Sequence, residues 1–157
     1  MSMEGPPVKV ILDTSIYIPY INDGIANPVF DLRSGKPLFY LSAVVIEELY
    51  AGAHDKTSIN LLDRLYETFD KIGRLIVPES TDWQRTGKVI AKLGRKYGFE
   101  ERFLSKITND VLIALSARKI GAMIVTRNTM DFTRIKEFID FKIYKSLLGF
   151  EFRGHHT

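Results

Sequence analysis

The segment VKVILDTSIYI, residues 8–18, contains the most informative change of pattern in this sequence. Its first five residues are β-branched or apolar apart from Lys9, without the alternation of a half-exposed strand, which is typical of a parallel strand covered on both faces. Asp13 follows directly, and a short helix is predicted over residues 17–21. The segment therefore indicates a buried strand that ends in an acid and leads into a helix.

The same alternation continues along the rest of the chain. After a turn-rich segment at 22–37, which includes a possible helical turn at 29–33, strands are predicted at 38–41, 75–77, 122–126 and 141–144. Helices are predicted from the N-cap Ser42 to about residue 53, over 58–72, from a cap at Thr81 or Asp82 to residue 97, over 108–120 and over 132–139. Strands that alternate with helices predict an α/β domain with a short, mostly parallel sheet covered on both faces.

Size and composition limit the classes of protein that this chain can represent. Its 157 residues fit a single domain, 1–157, with flexible tails expected at 1–7 and 153–157. No apolar run approaches the roughly 20 residues of a membrane span, and we expect no membrane partner. The absence of cysteine excludes disulfides and thiolate metal sites, and cytoplasmic location is the expectation. A net charge of +3 favours an anionic partner such as nucleic acid.

Acidic or amide side chains follow most of the predicted strands. These residues are Asp13, Glu47, Glu48, Asp110, Asn128 and Asp131. Because ligands of parallel sheets bind at the carboxyl ends of the strands, the acids are expected to converge there. Oxygen ligands without cysteine or a histidine cluster suit Mg²⁺ or Mn²⁺ rather than zinc.

Helix geometry separates the stronger candidates from the weaker ones. On the helix after Ser42, Glu48 lies at the edge of the apolar face, whereas Glu47 points toward solvent. Asp110 lies on the inward face of a helix whose segment VLIALSA is apolar almost all round, so its carboxylate needs a partner or a metal ion. We expect Asp110 in the first helical turn, where the helix dipole favours an anion.

Each acid also has an ordinary structural interpretation. Asp13 could cap a helix or form a turn, Asp110 could charge a helix start, and Asn128 and Asp131 could be turn residues. Glu48 alone would be a solvated helix charge. The set is more informative than its members, because four acids near the ends of different strands are expected at one sheet edge.

A basic stripe offers a route for a nucleic acid. Arg85, Lys88, Lys92 and Arg95 recur at helical spacing, and we call them the basic stripe. Lys96, Arg102 and Lys106 follow, with Tyr97, Phe99 and Phe103 among them. Positive charge with aromatic rings suits single-stranded RNA. The alternative interpretation is a solvated helix face with aromatic residues anchored in the core.

Four sequence blocks together resemble a known family. They are ILDTSIYI at 11–18, SAVVIEELYAGA at 42–53, NDVLIALSA at 109–117 and IVTRNTMDF at 124–132. In order and separation they are similar to the PIN domains, and among them to the VapC-type toxins of toxin–antitoxin pairs. The resemblance spans the chain and implies a three-layer α/β/α sandwich with a short parallel sheet.

The resemblance also implies roles for individual residues. Asp13, Glu48, Asp110 and Asp131 match the family's catalytic, metal-holding acids, with Asn128 as a supporting polar contact at a position where some members carry an acid. Thr14, Ser15 and Thr126 match small hydroxyl residues that support the site. The segment 82–109 is where family members differ most, so substrate choice transfers least.

The implied activity is Mg²⁺- or Mn²⁺-dependent hydrolysis of RNA by the toxin of a type II toxin–antitoxin pair. A cognate antitoxin and a homodimer would be its protein partners. Two alternatives stay open within the fold, namely a PIN nuclease of RNA processing or decay and a non-catalytic RNA-binding or regulatory module. A haloacid-dehalogenase-type phosphatase is less consistent, because Ser15 stands where those enzymes need a second aspartate.

Overall fold

A computed structural model describes residues 7–23 and 37–146 of the chain. The predicted tails, apart from Pro7, and residues 24–36 of the predicted turn-rich segment lie outside these ranges. Five strands form one sheet in the order β3-β2-β1-β4-β5, and every neighbouring pair is parallel. The strands are β1 Lys9–Leu12, β2 Leu38–Ser42, β3 Leu75–Ile76, β4 Met123–Thr126 and β5 Lys142–Lys145. The predicted parallel α/β sheet is therefore confirmed.

Strand β1 occupies the centre of the sheet. It pairs with β2 on one side, where Ile11 lies opposite Tyr40, and with β4 on the other, where Leu12 lies opposite Val125. Val10, Ile11 and Leu12 are all buried, because helices cover both faces of the sheet. This double burial explains why the strand is apolar without alternation.

Helices flank the sheet in an α/β/α arrangement. The described helices are α1 Thr14–Asp23, α2 Ala43–Ala51, α3 Lys56–Lys71, α4 Ser80–Tyr97, α5 Leu104–Ile120 and α6 Met130–Ile135, with a 3₁₀ turn at Glu101–Phe103. In α5 every residue from Val111 to Ala117 is buried, as its apolar sequence predicts. Gly121 ends α5 in the left-handed conformation, with φ of 69°. None of these helices is both long and apolar enough to span a bilayer.

Several helix boundaries differ from the predicted ones. Helix α1 begins at Thr14, directly after β1, although the pattern placed its start at residue 17. Helix α4 is capped by Glu79, and neither Thr81 nor Asp82 is the N-cap. The reason is a capping box in which the backbone N–H of Glu79 donates to Asp82 Oδ2 at 2.8 Å. Helix α6 ends at Ile135 and not at the predicted residue 139, because the chain forms tight turns after Ile135.

The start of α5 is the boundary that matters most for the site. Prediction placed it at Thr108, but the helix begins at Leu104 and follows the 3₁₀ turn without a side-chain cap. A helix that begins without a capping side chain leaves no N-terminal pattern in the sequence. Asp110 is therefore the seventh residue of α5, and the expectation of a first-turn position is wrong.

Candidate active site

Asp13 is fixed at the carboxyl end of β1. Its backbone N–H donates to the carbonyl of Val125 at 2.9 Å, which ties it to β4, and its own carbonyl accepts from Ile16 at the start of α1. The side chain is only 4% exposed. Its Oδ2 accepts hydrogen bonds from Thr126 Oγ1 at 2.8 Å and Ser15 Oγ at 3.0 Å. The carboxylate is thus oriented by residues from two different elements.

The other supporting residues form a small network around Asp13. The hydroxyls of Ser15 and Thr126 are 3.3 Å apart, and Ser15 Oγ accepts from the backbone N–H of Arg127 at 3.0 Å. Asn128 donates its backbone N–H to Thr126 Oγ1, while its side chain accepts from the backbone N–H of Met130 at the start of α6. Asn128 therefore shapes the turn after β4, and a direct role in the site stays a prediction.

Glu48 faces the same edge of the sheet from α2. Its Oε1 accepts from Thr14 Oγ1 at 2.6 Å, and its Oε2 accepts from Asn109 Nδ2 at 3.0 Å. Glu47 is exposed, as helix geometry predicted. Asn109 was not among the predicted site residues, although its position next to Asp110 in the NDV sequence was a usable indication. Both oxygens of Glu48 are held, so its carboxylate has a defined orientation.

Asp110 is buried on α5 with a counter-charge from its own helix. The side chain is 1% exposed, and Lys106 Nζ donates to Oδ2 at 2.9 Å and to Oδ1 at 3.2 Å. Asp110 lies in the second turn, beyond the main effect of the helix dipole, so this ion pair supplies the compensation. Lys106 was noted in the sequence only as a cation that follows the basic stripe. Its spacing of four residues from Asp110 was the available indication of this ion pair.

Asp13, Glu48 and Asp110, which we call the acidic cluster, interact electrostatically. Burial is the largest cause that raises the pKa of Asp110, to about 7, and the negative charges of Asp13 and Glu48 act in the same direction against the opposing effect of Lys106. Burial would lower the pKa of Lys106, but the three carboxylates raise it above its ordinary value. Asp110 contacts the Lys106 ammonium directly, and Asp13 and Glu48 lie close enough to influence both groups.

Asp131 occupies a different position from the other three acids. It lies in the first turn of α6 and, with Lys106, lines a neighbouring cavity. Within the described residues no hydrogen bond or ion pair joins Asp131 to the acidic cluster. Its assignment as the fourth acid stays a prediction.

The donor set can be compared with the requirements of a metal ion. In residues 7–23 and 37–146, no group of three His, Cys, Asp or Glu side chains is arranged to hold an ion as it stands. The chemistry of the donors nevertheless suits a hard divalent cation, because Asp13, Glu48 and Asp110 supply carboxylate oxygens that interact electrostatically with one another. A buried carboxylate such as Asp110 with one half-exposed partner is stabilised by added positive charge.

The predicted basic stripe lies along one exposed helix. Arg85, Lys88, Lys92 and Arg95 are all exposed on α4, as the helical spacing predicted. Phe99 and Phe103 are 66% and 50% exposed, so the alternative interpretation of aromatic core anchors is wrong for them. The position of the stripe is compatible with an anionic ligand, and its role in RNA binding stays a prediction.

Comparison with known proteins decides the family. The model of the family described as PIN domain matches residues 10–137, which include all four predicted acids. This chain belongs to the PIN-domain family. The predicted membership of the PIN domains and the predicted fold class are thereby confirmed. No curated protein matches the chain at a significant level.

Solved structures share the fold of this PIN domain at low sequence identity. A chain of the DNA-bound VapBC complex from Salmonella typhimurium has a TM-score of 0.61 at 21% identity, covering 88% of this chain and 98% of that one. A chain of VapBC2 from Rickettsia felis, bound to a promoter DNA fragment, has a TM-score of 0.59 at 22% identity, and the match covers 88% of this chain and 99% of that one. A chain of VapBC-5 from Mycobacterium tuberculosis has a TM-score of 0.57 at 15% identity, and the match covers 89% of this chain and 100% of that one.

Proposed function

We propose that this PIN domain is a metal-dependent endoribonuclease that hydrolyses RNA phosphodiester bonds with its acidic cluster. One observation carries the proposal: Glu48 on α2 accepts hydrogen bonds from Thr14, next to Asp13, and from Asn109, next to Asp110, so the three acids lie near one another. Asp13 and Asp110 would hold Mg²⁺ or Mn²⁺, and Asp131 would complete the set. Glu48 would bind a second ion or orient the attacking water. The bound metal would supply Lewis acidity at the phosphate and lower the pKa of water.

The residues around the acids have their own tasks in this proposal. Thr126 and Ser15 hold the carboxylate of Asp13, and Thr14 and Asn109 hold that of Glu48, so the oxygens are preorganised before substrate arrives. Lys106 neutralises part of the cluster while no metal is bound. The basic stripe on α4 would attract the phosphates of single-stranded RNA over distances of about a Debye length.

We further propose that the nuclease is the toxin of a toxin–antitoxin pair in the cytoplasm. The structural neighbours are VapBC complexes, which supports a protein antitoxin as partner. A homodimer is proposed on the family resemblance alone. The competing functions are an RNA-processing or decay nuclease and a non-catalytic RNA-binding module. Growth arrest on expression, relieved by the protein encoded beside it, would distinguish the toxin from the processing enzyme.

The test of the nuclease is cleavage of total cellular RNA with 1–5 mM Mn²⁺, roughly the range in which weak divalent sites fill. We expect the wild type to cut RNA and EDTA to stop it. Asp13→Asn, Asp110→Asn and Glu48→Gln are each expected to lower the rate at least about 100-fold, because each removes a charge from the reacting site. Glu47→Gln, at the exposed neighbouring position, is the matched control and should retain the rate.

Two results would contradict the nuclease proposal. If the wild type binds RNA but leaves it intact in Mn²⁺, the protein is a binding module. If Asp13→Asn cuts as fast as the wild type, the activity belongs to a contaminant or to another site. Release of phosphate from a phosphomonoester by the wild type, lost in Asp13→Asn, would favour the phosphatase interpretation instead.

A further inference from the structure

The cavity that Lys106 and Asp131 line lies beside the acidic cluster. It has a volume of about 340 Å³ and is bounded by α4, α5, α6 and the connection between α4 and the 3₁₀ turn. Lys106 lies on its wall, and the same ammonium group binds Asp110 at 2.9 Å. The cavity and the acidic cluster therefore share a side chain, so a ligand in the cavity would lie next to the acids.

Aromatic rings line this cavity although the domain has an ample core elsewhere. Phe99 and Phe103 expose more of their surface than core residues do, and Tyr97 is also exposed. The guanidinium of Arg134 lies 4.3 Å from the centre of the Tyr97 ring, and that of Arg102 lies 4.8 Å from the centre of Phe103. Flat rings beside cations are the surface that stacks on nucleobases and attracts their phosphates.

The position of Phe99 is set by two glycines. Its ring lies directly on Gly94 of α4, and a Cβ built on Gly94 would overlap the ring. Gly98 has a φ of 90°, a conformation that other residues rarely adopt, and it turns the chain back toward α4. The backbone at Gly94 and Gly98 thus fixes the position of the Phe99 ring, so a ligand would bind to a preformed surface.

Polar groups on the wall can select a base by its edge. Glu100 lies on the wall, and its carboxylate, 3.4 Å from Arg102 Nε, is a hydrogen-bond acceptor. A carboxylate pairs well with the exocyclic amino group of cytosine, and by the same chemistry with those of adenine and guanine. Uracil lacks an amino group, and its one imino N–H lies between two carbonyl oxygens, which a carboxylate repels.

We propose that this cavity binds one unpaired nucleobase of the RNA, next to the phosphate that is cut, and favours bases with an amino group. The proposal rests on the proposed ribonuclease function. It assigns substrate selection to Phe99, Phe103 and Glu100, in the part of the chain where the family resemblance is least informative. The basic stripe then holds phosphates of any sequence, while the cavity distinguishes bases.

The test measures RNA binding in EDTA, where metal-dependent cutting cannot interfere. Fluorescence anisotropy would compare four labelled 8-mers: oligo-A, oligo-C, oligo-U and an abasic ribose-phosphate strand. We expect the wild type to bind oligo-A and oligo-C at least about five-fold more tightly than oligo-U, and the abasic strand most weakly. Phe103→Ala should weaken oligo-A about five-fold or more and leave the abasic strand unchanged.

Two glycines on α4 provide a matched pair of variants. Gly94→Ala should expel the Phe99 ring and remove the preference for oligo-A, whereas a Cβ on Gly87 meets nothing and Gly87→Ala should bind like the wild type. Lys88→Glu together with Lys92→Glu should weaken all four strands equally. If Gly94→Ala fails to fold, Phe103→Ala decides the question.

The results separate this proposal from the ribonuclease proposal. If the wild type cuts RNA in Mn²⁺ but Phe103→Ala binds all strands like the wild type, the base site is wrong and the nuclease stands. Equal binding of oligo-A and oligo-U by the wild type would overturn the preference for amino groups. If the base preference is found and lost in Phe103→Ala while no RNA is cut, the base site stands and the nuclease proposal fails.

Discussion

Asp110 shows how a single buried carboxylate shapes the site. Its side chain is almost fully removed from water, and its one direct counter-charge, Lys106, is itself 51% exposed. Burial and the neighbouring acids therefore raise the pKa of Asp110 to about 7. A protein tolerates such a charge at a cost in stability when function uses the charge. In this domain, added positive charge beside Asp110 would relieve that cost.

This cost predicts a dependence of stability on pH. The pKa of Asp110 is raised on folding, from near 3.8 to about 7, so the native state binds the proton more tightly and loses stability as pH rises through that window. Asp110→Asn avoids the cost. In EDTA at pH 8 the variant should melt at least about 5 °C above the wild type, and the gap should shrink at pH 4–5.

Thermal unfolding of the two proteins at both pH values tests the Asp110 prediction. Glu47→Gln, which removes an exposed carboxylate, should show no such gap. A melting temperature of Asp110→Asn below that of the wild type at pH 8 would contradict the predicted sign.

At the scale of elements, the Asp82 carboxylate both caps α4 and joins it to α5, and Lys119 of α5 also binds the carboxylate of Glu79 at 2.6 Å. Asp82 accepts from the backbone N–H of Glu79 at 2.8 Å, which caps α4, and from Lys119 Nζ at 2.6 Å, which joins α4 to the last turn of α5. Burial would raise the pKa of Asp82, but Lys119 and the capping N–H together lower it. Asp82 thus contributes to the contact between the two helices that carry the basic stripe and Asp110.

We expect Asp82→Asn to destabilise the domain in a way that depends on pH. The pKa of Asp82 is lowered on folding, so its contribution is present above its unfolded value near 3.8 and disappears as pH falls through the folded value. Loss of the cap and the ion pair should cost about 2 kcal/mol at pH 7, or roughly 4–8 °C, and less at pH 3. Asp70→Asn, at an exposed position on α3, is the control. An equal loss at both pH values would exclude the ionised carboxylate as the cause.

Elements also show what the sequence can and cannot predict. Strand β1 and helix α5 were predicted because continuous burial leaves an apolar pattern that is independent of partners. Asp13, Glu48 and Asp110 could be predicted because parallel strands present their carboxyl ends at one edge. The pairing of Lys106 with Asp110 was missed, because its four-residue spacing is informative only if one helix spans both residues, and no capping residue marks the start of α5 at Leu104. The cavity depends on how α4, α5 and α6 pack together, which no local pattern contains.

At the scale of the whole molecule, the acidic cluster exists only in the folded chain. Its members are separated in sequence by 35 residues or more and meet only after β1, α2 and α5 have assembled. An ion that binds these acids should therefore bind the native state and not the unfolded chain. By mass action, such an ion raises the melting temperature by an amount set by its concentration and affinity.

We expect Mn²⁺ at 100 times its dissociation constant to stabilise the wild type by about 2.7 kcal/mol, or roughly 5–10 °C. Asp13→Asn should lose this shift, and Glu47→Gln should keep it. Lys106→Gln should show a larger shift than the wild type, because its ammonium group competes with the ion for Asp110. Differential scanning fluorimetry across a Mn²⁺ series checks all four proteins. An unchanged melting temperature of the wild type in millimolar Mn²⁺ would mean that these carboxylates serve only as a structural ion-pair network.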